Sequence, residues 1–553
     1  MKNRNKNTKW NKFNTNETNS FKLNYSISTK IKIILTVLLF VGFVIFDWFN
    51  GMTYSVQRFS SVVIISSLII ALCLIWGNMK FRLASITFGA IVIAVSFVLG
   101  ILSSPMLHAK TYSGLIGEIQ ILSFDDFFEE KEVSFSLVDK YSAVTIATTK
   151  IGELSDVSSM FELDSDEFSQ INYNGQMVRV APFKYNSWFK TLINNGSKGV
   201  PYYVIINTEG ENTNAEAKIV TLENPMKYYP SATLNYNLHR HVASKYKFTF
   251  VDDYYFEIDD NGNPYWLIQV VENKALLYGA KQMEALIIVD AVTGEMNKYD
   301  LDKIPEWVDT VYPTNMLLTQ AADAYTLQNG WFNTVLNKTG MMKIDYEEGS
   351  YNYVMLNGEI YLFTGIQTYS SESQATTGLL FISKRTGKAI EMDMPGSSLR
   401  MAQSTAVGEI QEKRYTPTTP IIMNIGNHAT YVMALKDSSN VVRGYSLVNY
   451  QDYTKSATST TLEGAKIAYL AVLGTSTESI DPNDVKTEEL VISEIKFATI
   501  EGNSYAFIRF TNNDFIYQTP ITINPELLFV NEGTTLKVSY TSTNVITEII
   551  VVK

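Results

Sequence analysis

A chain of 553 residues exceeds what one hydrophobic core organises, so several folded units are expected. A net charge of −11 argues against a nucleic-acid surface, and a single cysteine, Cys73, excludes a disulfide framework.

The charge is unevenly placed. Residues 1–32 carry eight Lys or Arg against Glu17, a local +7 that leaves −18 for the rest, and they read as a disordered basic cytoplasmic tail. Residues 33–104 hold three apolar runs, Ile33–Phe49, Ser60–Trp76 and Leu83–Leu102. Each run is about 17 to 20 residues, the length a helix needs to cross a hydrocarbon core of about 30 Å. The runs predict three transmembrane helices whose partner is the lipid bilayer.

Basic flanks stay cytoplasmic, so the tail and the Lys80/Arg82 turn are expected inside and everything after about residue 105 outside the cell. A cleaved signal peptide fits poorly, because no small-x-small pattern follows Phe49 and two more apolar runs come next. Asp47 and Arg58, near the outer span ends, read as solvated or mutually paired; Trp48 and Trp76 read as interfacial anchors.

Residues 105–303 form a first extracytoplasmic α+β region. The run Phe124–Glu130 alternates acids and aromatics like an amphipathic surface helix, and a second helix is expected from Asp139 to about Gly152. Asn174-Gly175 between two alternating runs predicts a tight hairpin, since both residues tolerate positive φ. A helix capped by Ser231 is expected to carry Leu234, Leu238 and Val242. On that helix His239 and His241 diverge by about 200°, which argues against a shared metal. The acidic turn Asp259–Pro264 has its glycine at the wrong position for a calcium loop and reads as another hairpin.

Residues 304–475 form a second region, opened by a helix over Asn315–Leu327. Three segments share one plan of aromatic-led strand, second strand and polar turn. They start at Tyr265, Tyr361 and Tyr431 and end on the turns at Asp290, Ser383 and Asn449. The plan predicts a repeated hairpin-and-helix unit, each burying an apolar face on its neighbour. Trp307, Trp331 and Phe332 are candidate interaction-surface residues. After a linker at 476–489, five alternating runs over 490–553 predict an OB-like small β-barrel. The fold class is thus α+β, with three N-terminal membrane helices, a β-rich region of repeated units and a C-terminal barrel.

Two resemblances add to this. The run Leu286–Glu295, a strand ending in Asp290 followed by a Thr293-Gly294-Glu295 turn, makes residues of about 250–300 resemble a PepSY domain. That resemblance implies regulation of an extracytoplasmic protease or of envelope assembly. The phrases Gln170–Tyr173, Arg179–Pro182, Glu257–Asp260, Gly262–Trp266, Ile304–Asp309 and Ala429–Asp437 resemble an uncharacterised family of Gram-positive multi-pass membrane proteins with a large extracytoplasmic β-rich body. No established activity and no site residues carry over from it.

No Gly-x-Ser-x-Gly elbow exists, and Arg385-Thr386-Gly387-Lys388 lacks the upstream glycine and following hydroxyl of a phosphate loop. No catalytic, cofactor-binding or metal residues are therefore assigned, and no cofactor is expected. The expected function is non-enzymatic binding, sensing or scaffolding in the cell envelope, with protein partners there. The PepSY-like regulator and an envelope hydrolase with an acid pair in a cleft are the alternatives.

Overall fold

A computed structural model describes residues 28–131, 133–195, 198–208, 217–344, 349–369, 375–409, 414–473, 485–500, 503–511, 516–541 and 546–552. The basic tail up to residue 27 and most of the 476–489 linker lie outside the described residues.

Helices α1 (Thr29–Asn50), α2 (Phe59–Trp76) and α3 (Met79–Leu102) are long and apolar enough to cross a membrane. Ser28 caps α1 and Asn78 caps α3, each side chain accepting a backbone N–H of the first turn. α2 and α3 pack as a hairpin in which Gly89 lets Ile70 approach; a Cβ there would fall 2.0 Å from its Cδ1. The Trp76 indole donates to Thr36 Oγ1 at 2.8 Å and ties α2 to α1. The α1–α2 loop and the end of α3 therefore lie at one end of the bundle, and both touch the body.

The chain next forms α4 (Pro105–Ser113), β1 (Ile119–Leu122), α5 (Phe124–Glu130) and β2 (Val133–Phe135). Four units follow, each a helix and then a four-stranded antiparallel meander. The first has α6 (Lys140–Gly152), α7 (Ser155–Ser158), a short β3 (Phe161–Leu163), β4 (Ser169–Tyr173), β5 (Gln176–Tyr185), α8 (Trp188–Asn194), β6 (Val200–Asn207) and β7 (Ala217–Met226). The second has α9 (Leu238–Lys245), β8 (Val251–Ile258), β9 (Pro264–Ala275), β10 (Gly279–Asp290) and β11 (Met296–Asp300). The third has α10 (Thr314–Leu327), α11 (Trp331–Val335), β12 (Met342–Ile344), β13 (Tyr351–Leu356), β14 (Glu359–Thr368), β15 (Ala375–Ser383), β16 (Ala389–Met392) and β17 (Gly396–Ser397). The fourth has α12 (Leu399–Glu409), β18 (Thr416–Pro417), β19 (Ile421–Ile425), β20 (His428–Lys436), β21 (Val442–Asn449), β22 (Ser456–Ser459) and a closing α13 (Leu462–Leu473).

The repeat is written in the turns. The first hairpins of units one, three and four turn on Asn174-Gly175, Asn357-Gly358 and Gly426-Asn427, with φ positive at both residues of each pair. The last turns of units two, three and four are each closed by one side chain, Asp290, Ser383 or Asn449, accepting two N–H groups two and three residues on. The segment entering each of these units then bonds back to that turn. Lys227 and Tyr228 donate to the Ala291 carbonyl, Val311 and Tyr312 to that of Lys384, and Ser397 to that of Tyr450.

Cores are shared between units. Sheets one and two bury a common apolar layer with Phe183, Tyr203, Phe256 and Trp266, and sheets three and four bury another with Phe363, Phe381 and Tyr431. The outer face of sheet three is covered by α10, and that of sheet four by α13. With both faces covered, the central strands carry near-continuous apolar runs instead of strict alternation.

The helix over Phe124–Glu130 forms as an amphipathic surface helix: Asp125, Asp126 and Glu129 are exposed, and Phe127 is fully buried in the layer between sheets three and four. Its flanking strands bracket sheet three, β1 parallel to β16 at one edge and β2 on β13 at the other. Three expectations are corrected. α9 starts at Leu238 with Asn237 as cap, because Leu234 adopts φ 52° in a separate 3-10 turn. Asp47 and Arg58 do not pair with each other; each is held by the body, as described below. The C-terminal strands β23 (Val485–Ile500), β24 (Asn503–Phe510), β25 (Ile516–Pro520), β26 (Thr535–Thr541) and β27 (Ile546–Val551) run in the order β25-β24-β23-β26-β27, and no β25–β27 pairing closes a barrel among the described residues. The long β23 serves two sheets, pairing β26 through its first half and β24 through its second, over a core of its own.

Candidate functional site at the anchor–body junction

Residues 51–58, between α1 and α2, tuck beneath the second unit. Asp47, near the end of α1, accepts from Lys247 Nζ at 2.7 and 2.6 Å and from the Tyr54 hydroxyl at 2.9 Å. The Arg58 guanidinium donates to the Val251 carbonyl and lies 5.0 Å from the Phe250 ring centre. Asn273 donates its backbone N–H to Gln57 Oε1 at 2.8 Å and its side-chain amide to the Gln57 carbonyl at 3.0 Å. Arg240 on α9 donates to the Trp48 carbonyl at 2.7 Å and stacks over its ring. At the end of α3, the Ser103 carbonyl accepts from Tyr112 at 2.8 Å and presses on Gly279; a Cβ there would stand 2.2 Å from that oxygen.

Beside this contact a cleft of about 480 Å³ opens between α4, β8, β10 and α10. Tyr112, Asp252, Asp253, Lys281, Gln320 and Asp323 supply its polar wall. Asp252 is neutralised by Lys281 at 2.8 Å, and Asp253 accepts from the Tyr255 hydroxyl at 3.3 Å. Burial pushes the Asp323 carboxyl up to about 6 and raises the Tyr112 phenol. Beyond Asp253, burial and then the charges of Asp164, Asp253 and Asp166 push Glu167 up to about 7. The wall thus attracts a cationic or hydrogen-bond-donating group, and its Asp323 carboxyl takes up a proton at about pH 6.

A second polar cluster is closed to solvent. The fully buried Glu257 carboxylate accepts the N–H groups of Asp309 and Thr310 at 3.0 and 2.8 Å, and Asp309 accepts the Asn172 N–H at 2.6 Å. Lys384 donates to Thr310 Oγ1 at 3.1 Å, with the Tyr255 and Tyr353 rings 5.6 and 5.1 Å from its ammonium. Burial drives both carboxyls up, Asp309 further because Glu257 faces it, and drives Lys384 down to about 8 against the pull of the two acids. Arg385 adds bonds to the carbonyls of Ile304, Pro305, Glu306 and Val308. With Glu257, Asp309, Thr310 and Lys384 all buried and bonded to one another or to backbone, this cluster joins units one, two and three.

The structure does not bring the three sequence-flagged aromatics together. Trp307 stacks on Tyr265, ring centres 4.9 Å apart, at the second unit. Trp331 and Phe332 make an edge contact on α11, which packs on α4 and α10. The two histidines also part: His239 meets the Tyr254 ring, while His241 Nε2 contacts the Gly294 carbonyl at 2.6 Å. Sequence reasoning missed the cleft residues, which come from four separated segments. The only local signal was Asp252-Asp253 on an otherwise half-apolar strand.

No family model matches this chain, and no curated protein matches it. Among solved structures, an apocarotenoid oxygenase from Synechocystis aligns at 11% identity over 54% of this chain and 62% of its own, with a TM-score of 0.15. A Trypanosoma rangeli sialidase aligns at 9% identity over 69% and 52%, with a TM-score of 0.13. The chain spans less than two thirds of both, and similarity at that level carries no argument about fold or activity.

Proposed function

We propose that this is a membrane-anchored, non-enzymatic binding or sensing protein of the cell envelope, with its tail cytoplasmic and its body outside. The observation that carries the reading is the cleft itself. One wall, Tyr112, belongs to the helix that continues the third span, and the others belong to units two and three. A ligand there contacts anchor and body together, which is the geometry a sensor requires.

The wall chemistry favours a small amine or other cation. The test is thermal unfolding of the full chain in detergent with and without spermidine. Stabilisation by several degrees that is lost in Asp323→Asn supports the reading; no shift, or an equal shift in the variant, overturns cation binding. Protease treatment of intact cells tests the topology: loss of the body with survival of an N-terminal tag is expected.

A second reading keeps the PepSY-like regulator. It is favoured by the second unit, in which α9 and the β8–β11 meander together span about the region of the resemblance. Crosslinking in the native membrane that captures an extracytoplasmic protease would support it. The hydrolase alternative retains one supporting feature, the acidic cleft.

A further inference from the structure

Several of the body's large exposed apolar side chains lie on or beside the elements that touch the spans. Helix α4 starts three residues after α3 ends, and it exposes Met106 and Leu107. Helix α11 packs on α4 and turns Phe332, Val335 and Leu336 outward, an i, i+3, i+4 face whose members are 56 to 73% exposed. Phe248 is 83% exposed and follows directly on Lys247, the partner of Asp47. Leu276 is exposed at the tip of the β9–β10 hairpin, beside Tyr278, whose ring meets that of Phe59 at the head of α2. Four separate segments therefore present large apolar groups around one ring of membrane attachments.

Charge follows the same line. In a strongly acidic body, no Asp or Glu occurs from residue 48 to 117, which includes α4, or from 324 to 344, which includes α11. Both stretches carry lysines, Lys110 in the first and Lys338 and Lys343 in the second. An apolar face free of acids and edged by lysine is the composition of a segment lying in the lipid–water boundary.

We propose that the membrane-proximal side of the body is seated in the leaflet it faces, with Leu107 on α4 and Phe332 and Leu336 on α11 entering the boundary between headgroups and acyl chains. The occupant of this apolar face is lipid. The face is continuous with the spans, α4 following α3 and α11 lying on α4. Trp331 and Phe332 thereby become lipid contacts and not part of a groove for a protein. The cleft, whose wall includes α4 and α10, then opens at headgroup level. The proposal rests on the reading that α1–α3 cross a bilayer.

The test uses the full chain with Cys73→Ser, reconstituted in vesicles of phosphatidylcholine and phosphatidylglycerol. An environment-sensitive fluorophore is placed singly at Leu38→Cys, Leu107→Cys or Leu336→Cys. All three substitutions fall on exposed side chains, so folding is retained. A shallow doxyl-labelled lipid should quench positions 107 and 336 about twofold, with blue-shifted emission relative to the free dye in buffer. Quenching by aqueous iodide alone at 336 would overturn the proposal. Protection from both quenchers would also overturn it, and would show a protein covering α11. Failure of a deep doxyl-labelled lipid, with its label near the acyl-chain end, to quench at 38 would instead strike the membrane-crossing reading.

Discussion

Glu167 shows what a single buried carboxyl does to this body. Its folded value of about 7 stands above the ordinary 4.5, so between those values the unfolded chain releases a proton that the folded chain keeps. Its contribution is therefore fully present below about pH 4.5 and is lost as pH rises through 7. Glu167→Gln should raise the melting temperature at pH 8 and leave it unchanged at pH 4, read by thermal unfolding at both. Lys384 makes a different case. Replacing it by Ala removes the ammonium that faces two buried acids and should cost about 3 kcal/mol, measured by denaturant unfolding. Loss of no more than a surface lysine's worth would show that the cluster holds its acids neutral without it.

At the scale of elements, α5 and the 51–58 loop act at long range. Phe127 stacks on Phe381 at 4.5 Å and lies inside the layer between sheets three and four, more than two hundred residues away in sequence. Phe127→Ala should cost about 3–5 kcal/mol, while removal of the partly exposed Phe124 ring should cost much less, both by denaturant unfolding. For the loop, a double-mutant cycle of Asp47→Asn and Lys247→Met should give a coupling of about 1 kcal/mol, since the pair is only partly buried. The elements legible from sequence were those whose signal is local. Asn174-Gly175, the helix from Asp139 and the helix ending at Leu327 all form as their residues dictate. The same logic applied to Asn357-Gly358 would have shown the first hairpin of the third unit. The start of α9 was misread because Leu234 continues the apolar spacing while its backbone does not continue the helix.

For the whole molecule, the arrangement of cores sets the cooperativity. Units one and two share one apolar layer and three and four another, and the Glu257–Lys384 cluster joins the two pairs. The C-terminal unit has its own core, built from residues 490–551. Hydrogen exchange under rising denaturant should thus show the four units opening as one block and β23–β27 opening separately. Independent opening of any one of the four units would contradict this.

The sequence by itself determined the three helices apolar enough to cross a membrane, the repeated strand-and-turn plan and the strand content of the C-terminal unit. Each rests on length, hydropathy or turn chemistry within a few residues. Only the tertiary structure decided that Asp47 and Arg58 grip the body, that residues 119–135 bracket the third sheet, and that α4, β8, β10 and α10 enclose an acidic cleft. It likewise decided that, among the described residues, no β25–β27 pairing closes the last five strands into a barrel. The physical reason is common to all four: each depends on which distant surfaces meet, and a periodic pattern records that a face is apolar without recording what covers it.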